Sequence, residues 1–250
     1  MLVRDRLFAV GLEKGLRQST IFSYERLLRG LGILDEDFTQ VTHELVMQRL
    51  WELDNPNTRR ASVIAIRSVF GFSIKIPKSV PRRYDLPDED TLKVALMTSP
   101  HEARGLLMMY AGLRIGEACA ITHKDVAGDR LSVDKQVQVL HRTGHPTITR
   151  IGPVKSSEAT VVIPWHLVPT INSLDATAKP DVVRESLRRA GRKCGFNLNP
   201  HLLRHWYATT MLKRGIPLSL VSQQMRHSDI SVTLRTYSQH DDSAIHDAFG

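Results

Sequence analysis

The chain has 250 residues, of which 42% are hydrophobic and 24% are charged, and its formal net charge is +8 with a pI near 9.7. These values are ordinary for a globular protein that buries its cores without cross-links. The two cysteines, Cys119 and Cys194, exclude a disulfide framework and a cysteine-rich zinc site, so we expect a reducing compartment. The positive charge fits a polyanionic partner, but it fits equally a basic protein that binds none.

The first ten residues contain neither a long apolar run nor a cleavage site made of small residues. No later stretch is apolar over the length that is needed to span a bilayer. We therefore expect a cytoplasmic protein that has no membrane partner.

Apolar residues recur at helical spacing through the first 76 residues, with interruptions at glycine, threonine and an asparagine–proline pair. This pattern predicts a domain of four short helices. The predicted boundaries are an end near Gly15, helix starts at Thr20 and Thr42, a break at residues 55–57 and a last helix over residues 58–72.

Residues 77–87 are the predicted boundary between two domains, because Pro77 and Pro81 disfavour helix and several cations surround them. The segment suits an extended basic connector that lies along phosphates, or an ordinary stiff linker. The positively charged residues of this segment, of the stretch just before it and of the fourth predicted helix are candidates for contact with phosphates. They are Arg59, Arg60, Arg67, Lys75, Lys78, Arg82 and Arg83.

The second part of the chain, residues 88–250, is predicted to combine many helices with a few strands. Acidic residues at 88–90 favour a helix start, and β-branched residues that alternate with polar ones favour strands. The predicted fold class is therefore mainly α with a small antiparallel β-sheet. The predicted elements are helices around 88–98 and 101–111, a helix ending at Ala120, strands at 131–134, 136–139 and 160–163, turns at Gly144, Pro146, Gly152 and Pro153, and helices through 179–250.

A set of polar residues along this second part could break and remake a phosphodiester without a metal or any other cofactor. Arginine binds a phosphate with two parallel hydrogen bonds, histidine moves protons near neutral pH, and tyrosine can form a covalent ester. The candidates, in chain order, are Arg114, Lys155, His201, Arg204, His227 and Tyr237.

Two of these assignments have rivals. Tyr207 competes with Tyr237 for the role of nucleophile, but its neighbours Trp206 and Ala208 are typical of a helix core. Lys135 is the alternative to Lys155 as the proton donor.

Zinc is a further alternative, because His201 and His205 share one face of a helix. A metalloprotease motif needs glutamate directly after the first histidine, and Leu202 stands there instead. No third ligand is evident, so we predict that no metal is bound.

The motifs around these residues resemble those of the tyrosine recombinase (phage integrase) family, in order and in approximate spacing. The resemblance is clear over about residues 85–240, and it rests on helical pattern alone over about 1–80. One departure is Arg226, since the family usually has glycine at that position. The matching motifs are AGLRIGE at 111–117, a lysine in a polar hairpin at 155, HLLRH at 201–205, MRH at 225–227 and TLRTY at 233–237.

The resemblance implies a small two-domain protein that lacks an arm-binding domain. Residues 1–76 would form a helical, SAM-like core-binding domain of four helices, and residues 77–87 would be the linker. Residues 88–250 would form the mixed α+β catalytic domain, with a tail at about 240–250.

The resemblance also assigns roles at the phosphate. It implies that Arg114 and Arg204 bind the scissile phosphate and stabilise its transition state. We expect Glu117 to support the site by orienting Arg114 or a histidine, and a plain structural ion pair is the alternative.

The remaining roles concern protons and the covalent step. By resemblance, Tyr237 attacks the phosphorus and Lys155 protonates the leaving 5′ oxygen. His201 would handle protons near the nucleophile, and His227 would donate a hydrogen bond to the phosphate.

The implied activity is site-specific DNA recombination through a 3′-phosphotyrosine intermediate and a Holliday junction, without ATP. The implied partners are double-stranded attachment or core sites, a directionality factor, and further copies of the chain, monomeric in solution, that form a tetramer on DNA by exchanging C-terminal tails. We expect a phage- or mobile-element-encoded protein at the nucleoid of a bacterial cell. The alternatives are a type IB topoisomerase and a DNA-binding protein that has lost catalysis.

Overall fold

The computed structural model describes residues 1–80, 86–140, 147–155 and 157–226. The described residues fall into two compact units. The first consists of residues 1–80 with 140 and 147, and the second contains the remainder. Across these ranges, no helix combines the length and the apolar character that crossing a membrane would require.

The first unit is built from helices whose apolar sides share one core. Leu7, Leu28 and Ile66 are fully buried in that core, and burying each such side chain stabilises the fold by about 1.5–3 kcal/mol. The helices are α1 (Val3–Glu13), α2 (Gln18–Gly30), α3 (His43–Trp51) and α4 (Pro56–Phe70).

Of the two helix starts predicted in this unit, one is confirmed and the other is wrong. The start of α3 is confirmed, because the Thr42 side chain accepts a hydrogen bond from the backbone N of Leu45 at 3.2 Å. The predicted start at Thr20 is wrong. Helix α2 begins at Gln18, and the backbone N of Thr20 already donates to the carbonyl of Arg17 at 2.8 Å.

The predicted break at residues 55–57 is also wrong, because these residues begin α4. The Asn55 side chain accepts from the backbone N of Asn57 and of Thr58, both at 3.0 Å. Pro56 suits the first position of a helix, where the backbone N–H has no partner within the helix. Asparagine and proline therefore act here as a helix start and not as an interruption.

An extended segment follows α4 and lies along it. Gly71 ends the helix with a φ of 74°, in the left-handed region that favours glycine. Val80 is joined to Asn57 twice, through its backbone N at 3.1 Å and its carbonyl at 3.0 Å. The segment is therefore bound to the first unit as far as Val80, and the position of a linker at 77–87 stays a prediction.

The second unit surrounds a central helix, α6, in which Leu107, Met108 and Met109 are all fully buried. A mainly helical fold with small sheets is confirmed. Its elements are α5 (Glu89–Met97), α6 (Glu102–Tyr110), α7 (Ile115–Ala120), β1 (Val126–Ala127), β2 (Arg130–Val133), β3 (Lys135–Leu140), β4 (Ile148–Pro153), β5 (Ala159–Val162), α8 (Val168–Asn172), α9 (Pro180–Lys193), α10 (Pro200–Lys213) and α11 (Leu218–Gln224), with 3-10 helices at His123–Asp125 and Trp165–Leu167.

The strands form two small sheets. In the first, β2 lies between β1 and β5 and is antiparallel to both, with Leu131 opposite Val126 and Val161. In the second, β3 pairs with β4. The fully buried Leu131 and Val133 alternate with exposed residues, so one face of the first sheet packs against the core.

The predicted turn at Gly152 and Pro153 is wrong, because both residues end β4. A Cβ at position 152 would lie 2.8 Å from Nε2 of Gln138, so glycine permits a close side-chain approach across the sheet. The Pro153 carbonyl accepts from Gln136 at 2.7 Å and from Gln138 at 3.3 Å. The predicted turns at Gly144 and Pro146 lie outside the described residues.

Replacing Asn55 with alanine should destabilise the protein by about 1 kcal/mol, because the side-chain cap of α4 is lost. Asn55→Asp is the matched control, since aspartate accepts the same hydrogen bonds. Urea unfolding of the three proteins measures the difference. Equal midpoints for Asn55→Ala and the wild type would show that the cap contributes nothing.

Candidate active site

The site begins at the turn between α6 and α7, where Gly112 has a φ of 60°. A Cβ on Gly112 would lie 2.7 Å from Cδ1 of Tyr207 and 3.2 Å from Cγ of Met225. A side chain at this position would therefore be strained by its backbone and crowded by its neighbours. Glycine allows the chain to turn against α10 and to place Arg114 directly before α7.

The start of α7 is fixed from two sides. A Cβ on Gly116 would lie 2.9 Å from the carbonyl oxygen of Val137, so the helix packs closely against β3. Glu117, whose side chain is 1% exposed, accepts from the backbone N of Arg114 at 2.7 Å and from its Nη1 at 2.9 Å. One carboxylate thus holds both the backbone and the guanidinium of Arg114, and its part in any reaction stays a prediction.

The structure brings Arg204 to the same place as Arg114. Arg204 is buried on α10 and donates to the carbonyl of Gly112 and, at 2.6 Å, to that of Met225. Arg114 donates from Nη2 to the carbonyl of Arg226 at 2.9 Å. The two guanidinium groups therefore bind successive carbonyls at the end of α11.

Sequence reasoning missed the role of Arg226, although it singled out this residue as a departure from glycine. Its side chain is 1% exposed and forms an ion pair with Glu117. Burial by itself raises the pKa of Glu117, but the charge of Arg226 and the contacts from Arg114 lower the pKa below its usual value. Glu117 is therefore ionised at neutral pH. The available signal was a charged residue where the family usually has glycine.

The two histidines of α10 have different surroundings. His201 is exposed in the first turn of the helix. His205 is half-buried, and burial, followed by the charges of His201 and Arg204, lowers its pKa to about 4. His205 is therefore neutral near pH 7, whereas His201 is accessible to solvent.

The lysine candidates are placed differently by the structure. Lys155 is exposed and lies two residues after β4, in the connection to β5. Because β4 and β5 pair with strands of different sheets, this connection is not the hairpin that the sequence suggested. Lys135 forms an ion pair with Asp125, which also accepts from the backbone N of Thr122. Lys135 is therefore already engaged, and Lys155 remains the better candidate.

Tyr207 is a core residue, as its neighbours indicated. It is 5% exposed and packs with Val221 and Met225. Burial raises its pKa to about 12 and keeps its phenol out of reach of a substrate. The other candidates at the site, His227 and Tyr237, lie outside the described residues, as does the predicted tail at about 240–250.

The three candidate arginines of α4 hold backbone carbonyls of their own unit. Arg59 donates to the carbonyls of Trp51, at 3.4 Å, and Leu53, at the end of α3. Arg60 donates to the carbonyl of Pro77, and Arg67 donates to that of Ile74 at 3.3 Å.

The candidate cations beyond α4 are differently placed. Lys75 and Lys78 are exposed, whereas Arg82 and Arg83 lie outside the described residues. Arg67 is exposed as well, although its guanidinium donates to the carbonyl of Ile74.

The chain is similar to known proteins over much of its length. The model of the phage integrase family matches residues 90–244. The tyrosine recombinase XerA of Pyrococcus horikoshii is 28% identical over 171 residues, which is 64% of this chain and 57% of that protein. The tyrosine recombinase XerC of Rhizobium meliloti is 30% identical over 183 residues, 64% of this chain and 55% of that protein. The chain thus spans a little over half the length of these curated relatives.

Solved structures share the fold. The Tn1549 transposon integrase in complex with a circular intermediate DNA has a TM-score of 0.77 at 16% identity, with 100% of this chain and 99% of that chain covered. A lambda integrase dimer bound to a core site has a TM-score of 0.67 at 16% identity, covering 96% and 77% of the two chains.

Replacing His205 with glutamine should flatten the dependence of stability on pH. The unfolded chain takes up a proton at position 205 near the ordinary pKa of 6.5, whereas the folded chain does so near 4. The wild type therefore loses stability as the pH falls from about 6.5 towards 4, and the variant should lose less. Urea midpoints at about pH 7 and about pH 5 give the difference in slope, so a constant packing loss cancels. If the urea midpoints of the two proteins changed equally with pH, the lowered pKa of His205 would be contradicted.

Proposed function

The chain belongs to the phage integrase family, and on that premise we propose that it is a site-specific DNA recombinase. The observation that carries the proposal is the convergence of Arg114 and Arg204 on the end of α11. In the proposed reaction, the protein cleaves and rejoins DNA strands through a 3′-phosphotyrosine intermediate and a Holliday junction. The proposal needs no metal, ATP or other cofactor.

The two arginines are suited to bind the scissile phosphate. Negative charge grows on the non-bridging phosphate oxygens during displacement, and guanidinium groups fixed in advance stabilise that charge. Arg114 is restrained by Glu117, and Arg204 by the carbonyls of Gly112 and Met225. Little reorganisation is then needed when the phosphate arrives, and this is the origin of the proposed rate enhancement.

The covalent step is assigned to Tyr237. Its phenolic oxygen forms a bond to phosphorus while the bond from phosphorus to the 5′ oxygen breaks. Lys155 gives a proton to that oxygen, which leaves as a hydroxyl. His201 accepts the proton that the phenol loses on attack, and His227 donates a hydrogen bond to the phosphate. Because the phosphotyrosine ester keeps the bond energy, a second strand can be joined by the reverse step.

Duplex DNA at attachment or core sites is the proposed partner. The transposon and lambda integrases of similar fold were solved on DNA, and the net charge of this chain is +8. Lys75 and Lys78 are exposed candidates for contact with the DNA backbone, and Arg82 and Arg83 follow them in sequence. Arg59 is assigned to holding the end of α3, and Arg60 and Arg67 are assigned to holding the extended segment after α4.

The finer organisation is part of the same proposal. Residues 1–76 would act as a four-helix core-binding domain, residues 77–87 as a linker, and residues 88–250 as the catalytic domain. Four copies would assemble on two DNA duplexes by exchanging tails at about 240–250, from monomers in solution, with a directionality factor as a further partner. The setting is the nucleoid of a bacterial cell that carries a phage or another mobile element.

The variant Tyr237→Phe should bind attachment-site DNA with wild-type affinity but form no covalent complex, because the attacking oxygen is absent. A nicked suicide duplex traps the covalent complex, and a denaturing gel measures it. Tyr207→Phe is the matched control and should still form the complex, since Tyr207 is a core residue.

A covalent complex formed by Tyr237→Phe, or lost in Tyr207→Phe despite normal folding, would assign the nucleophile to another tyrosine. Relaxation of any supercoiled plasmid, without strand exchange between defined sites, would instead indicate a type IB topoisomerase.

The variant Lys155→Ala should cleave ordinary DNA at least about a hundredfold more slowly, because the leaving oxygen receives no proton. A duplex whose bridging 5′ oxygen is replaced by sulfur should be cleaved at a rate near that of the wild type, since a thiolate leaves without protonation. Single-turnover cleavage of both duplexes gives the two rates. Rescue of Lys135→Ala by sulfur, with none for Lys155→Ala, would assign the acid to Lys135.

A further inference from the structure

The residue after α11, Arg226, has an unusual backbone conformation. Its φ is 53°, which makes it a non-glycine residue in the left-handed region. Glycine adopts this conformation without strain, whereas an arginine there is strained by its Cβ. Glycine is also what the family usually has at this position. Some other contact must therefore offset the strain in this chain.

The contact that offsets the strain is made by the Arg226 side chain. The guanidinium is buried against Glu117, which is 109 positions earlier in the chain, and its Nη2 forms an ion pair with Oε2 of that carboxylate. Its Nη1 donates to the carbonyl of Gln224 at 2.9 Å. Burying two charges costs desolvation energy, which a pair of this kind repays only when it is well oriented and makes further hydrogen bonds.

Glu117 is shared by two guanidinium groups. Arg114 contacts Oε1, and Arg226 contacts Oε2. The three residues together carry one positive charge in excess. The Arg226 side chain is 1% exposed whereas that of Arg114 is 30% exposed, so Arg114 is the more accessible of the two guanidinium groups. With glycine at position 226, the carboxylate of Glu117 would not be shared, and its whole negative charge would act on Arg114.

The backbone of Arg226 restrains Arg114 as well. Its carbonyl accepts from Nη2 of Arg114 at 2.9 Å. The two residues before it are also fixed, because Gln224 donates to the carbonyl of Val162 at 2.7 Å and the Met225 carbonyl accepts from Arg204. The carbonyl of Arg226 is therefore an acceptor at a fixed position, and it orients the plane of the Arg114 guanidinium.

We propose that Arg226 is a positioning residue for Arg114. Through Glu117 it keeps the charge of Arg114 from being fully neutralised, and through its own carbonyl it orients the Arg114 guanidinium towards a phosphate group. The inference rests on the proposed function in one respect, since the phosphate in question is the scissile phosphodiester. Arg226 itself does not contact the substrate.

The first experiment uses the free protein with inorganic phosphate as the probe. The side-chain Nε–Hε NMR signal of Arg114, assigned by its absence in Arg114→Lys, is followed as phosphate is added. The affinity for phosphate should fall about tenfold in both Arg226→Met and Arg226→Gly, because the carboxylate of Glu117 is then no longer shared and its whole charge acts on Arg114. Arg226→Lys keeps the charge beside Glu117 and should stay within about threefold of the wild type.

The order of the phosphate affinities of these variants separates the effect of charge from the effect of backbone strain. If position 226 matters only through its left-handed backbone, glycine should bind phosphate as well as the wild type does, whereas the charge explanation predicts that glycine weakens binding and lysine does not. The matched control is Arg189→Met on α9, which removes one exposed positive charge that pairs with Glu185. It should leave phosphate affinity unchanged. Should Arg226→Met fail to fold, the comparison of the glycine and lysine variants still decides the question.

A second experiment tests the link to the reaction. Covalent-complex formation is timed on a suicide duplex with an ordinary scissile phosphate and on one with a neutral methylphosphonate. Arg226→Gly should slow the reaction about tenfold on the phosphate and less on the methylphosphonate, because the uncharged group gains less from Arg114. Equal slowing on both duplexes would mean that Arg226 acts only by supporting the fold.

The two experiments distinguish the two proposals. If the wild type forms no covalent complex on any duplex, the recombinase proposal fails, and the phosphate titration still decides the role of Arg226. Equal phosphate affinity in the wild type, Arg226→Met and Arg226→Gly would overturn the positioning role, whatever the DNA result. A wild type whose Arg114 signal does not respond to phosphate would overturn it too.

Discussion

The second unit depends most on the contacts that the carboxylate of Glu117 makes. It is nearly inaccessible to solvent, and it contacts the backbone N of Arg114, the guanidinium of the same residue and the guanidinium of Arg226. A buried charge is tolerated only when it is paired and hydrogen-bonded, and removing one partner costs about 3–5 kcal/mol. The start of α7 and the end of α11 are therefore held together by one group, although they are far apart in sequence.

Glycines make room for this arrangement, and arginines then occupy the positions around it. Gly112 lets the chain turn against Tyr207 and Met225, and Gly116 lets α7 approach β3. The carbonyl that Gly112 exposes is then an acceptor for Arg204. A guanidinium has several donors in one plane, so it can bind two carbonyls at a time and still carry its charge. The turn at Gly112 therefore also fixes the position of the positive charge of Arg204.

Much of this could be predicted from the sequence wherever the governing rule is local. Helical spacing, a threonine before α3 and acidic residues in the first turn of α5 located α3, α5 and α6. The errors arose where one residue type has two uses. Asparagine before proline begins α4, and glycine lies within β4 because Gln138 packs over it. The Arg226–Glu117 pair could not be predicted, because no local pattern links residues so far apart, and the arginine in place of the usual glycine marked the position without naming its partner.

The net charge of +8 overstates how much positive charge the described surface offers to a polyanion. Several arginines donate to backbone carbonyls inside their own unit, among them Arg60, Arg67, Arg104 and Arg204. A carbonyl does not neutralise a cation, so these charges persist, but they lie where they hold the fold together. Electrostatic attraction of DNA depends on the distance of each charge from the phosphates as well as on the total. Exposed lysines such as Lys75 and Lys78 therefore contribute to non-specific attraction, whereas the buried Arg204 is placed to act on a phosphate bound close to it.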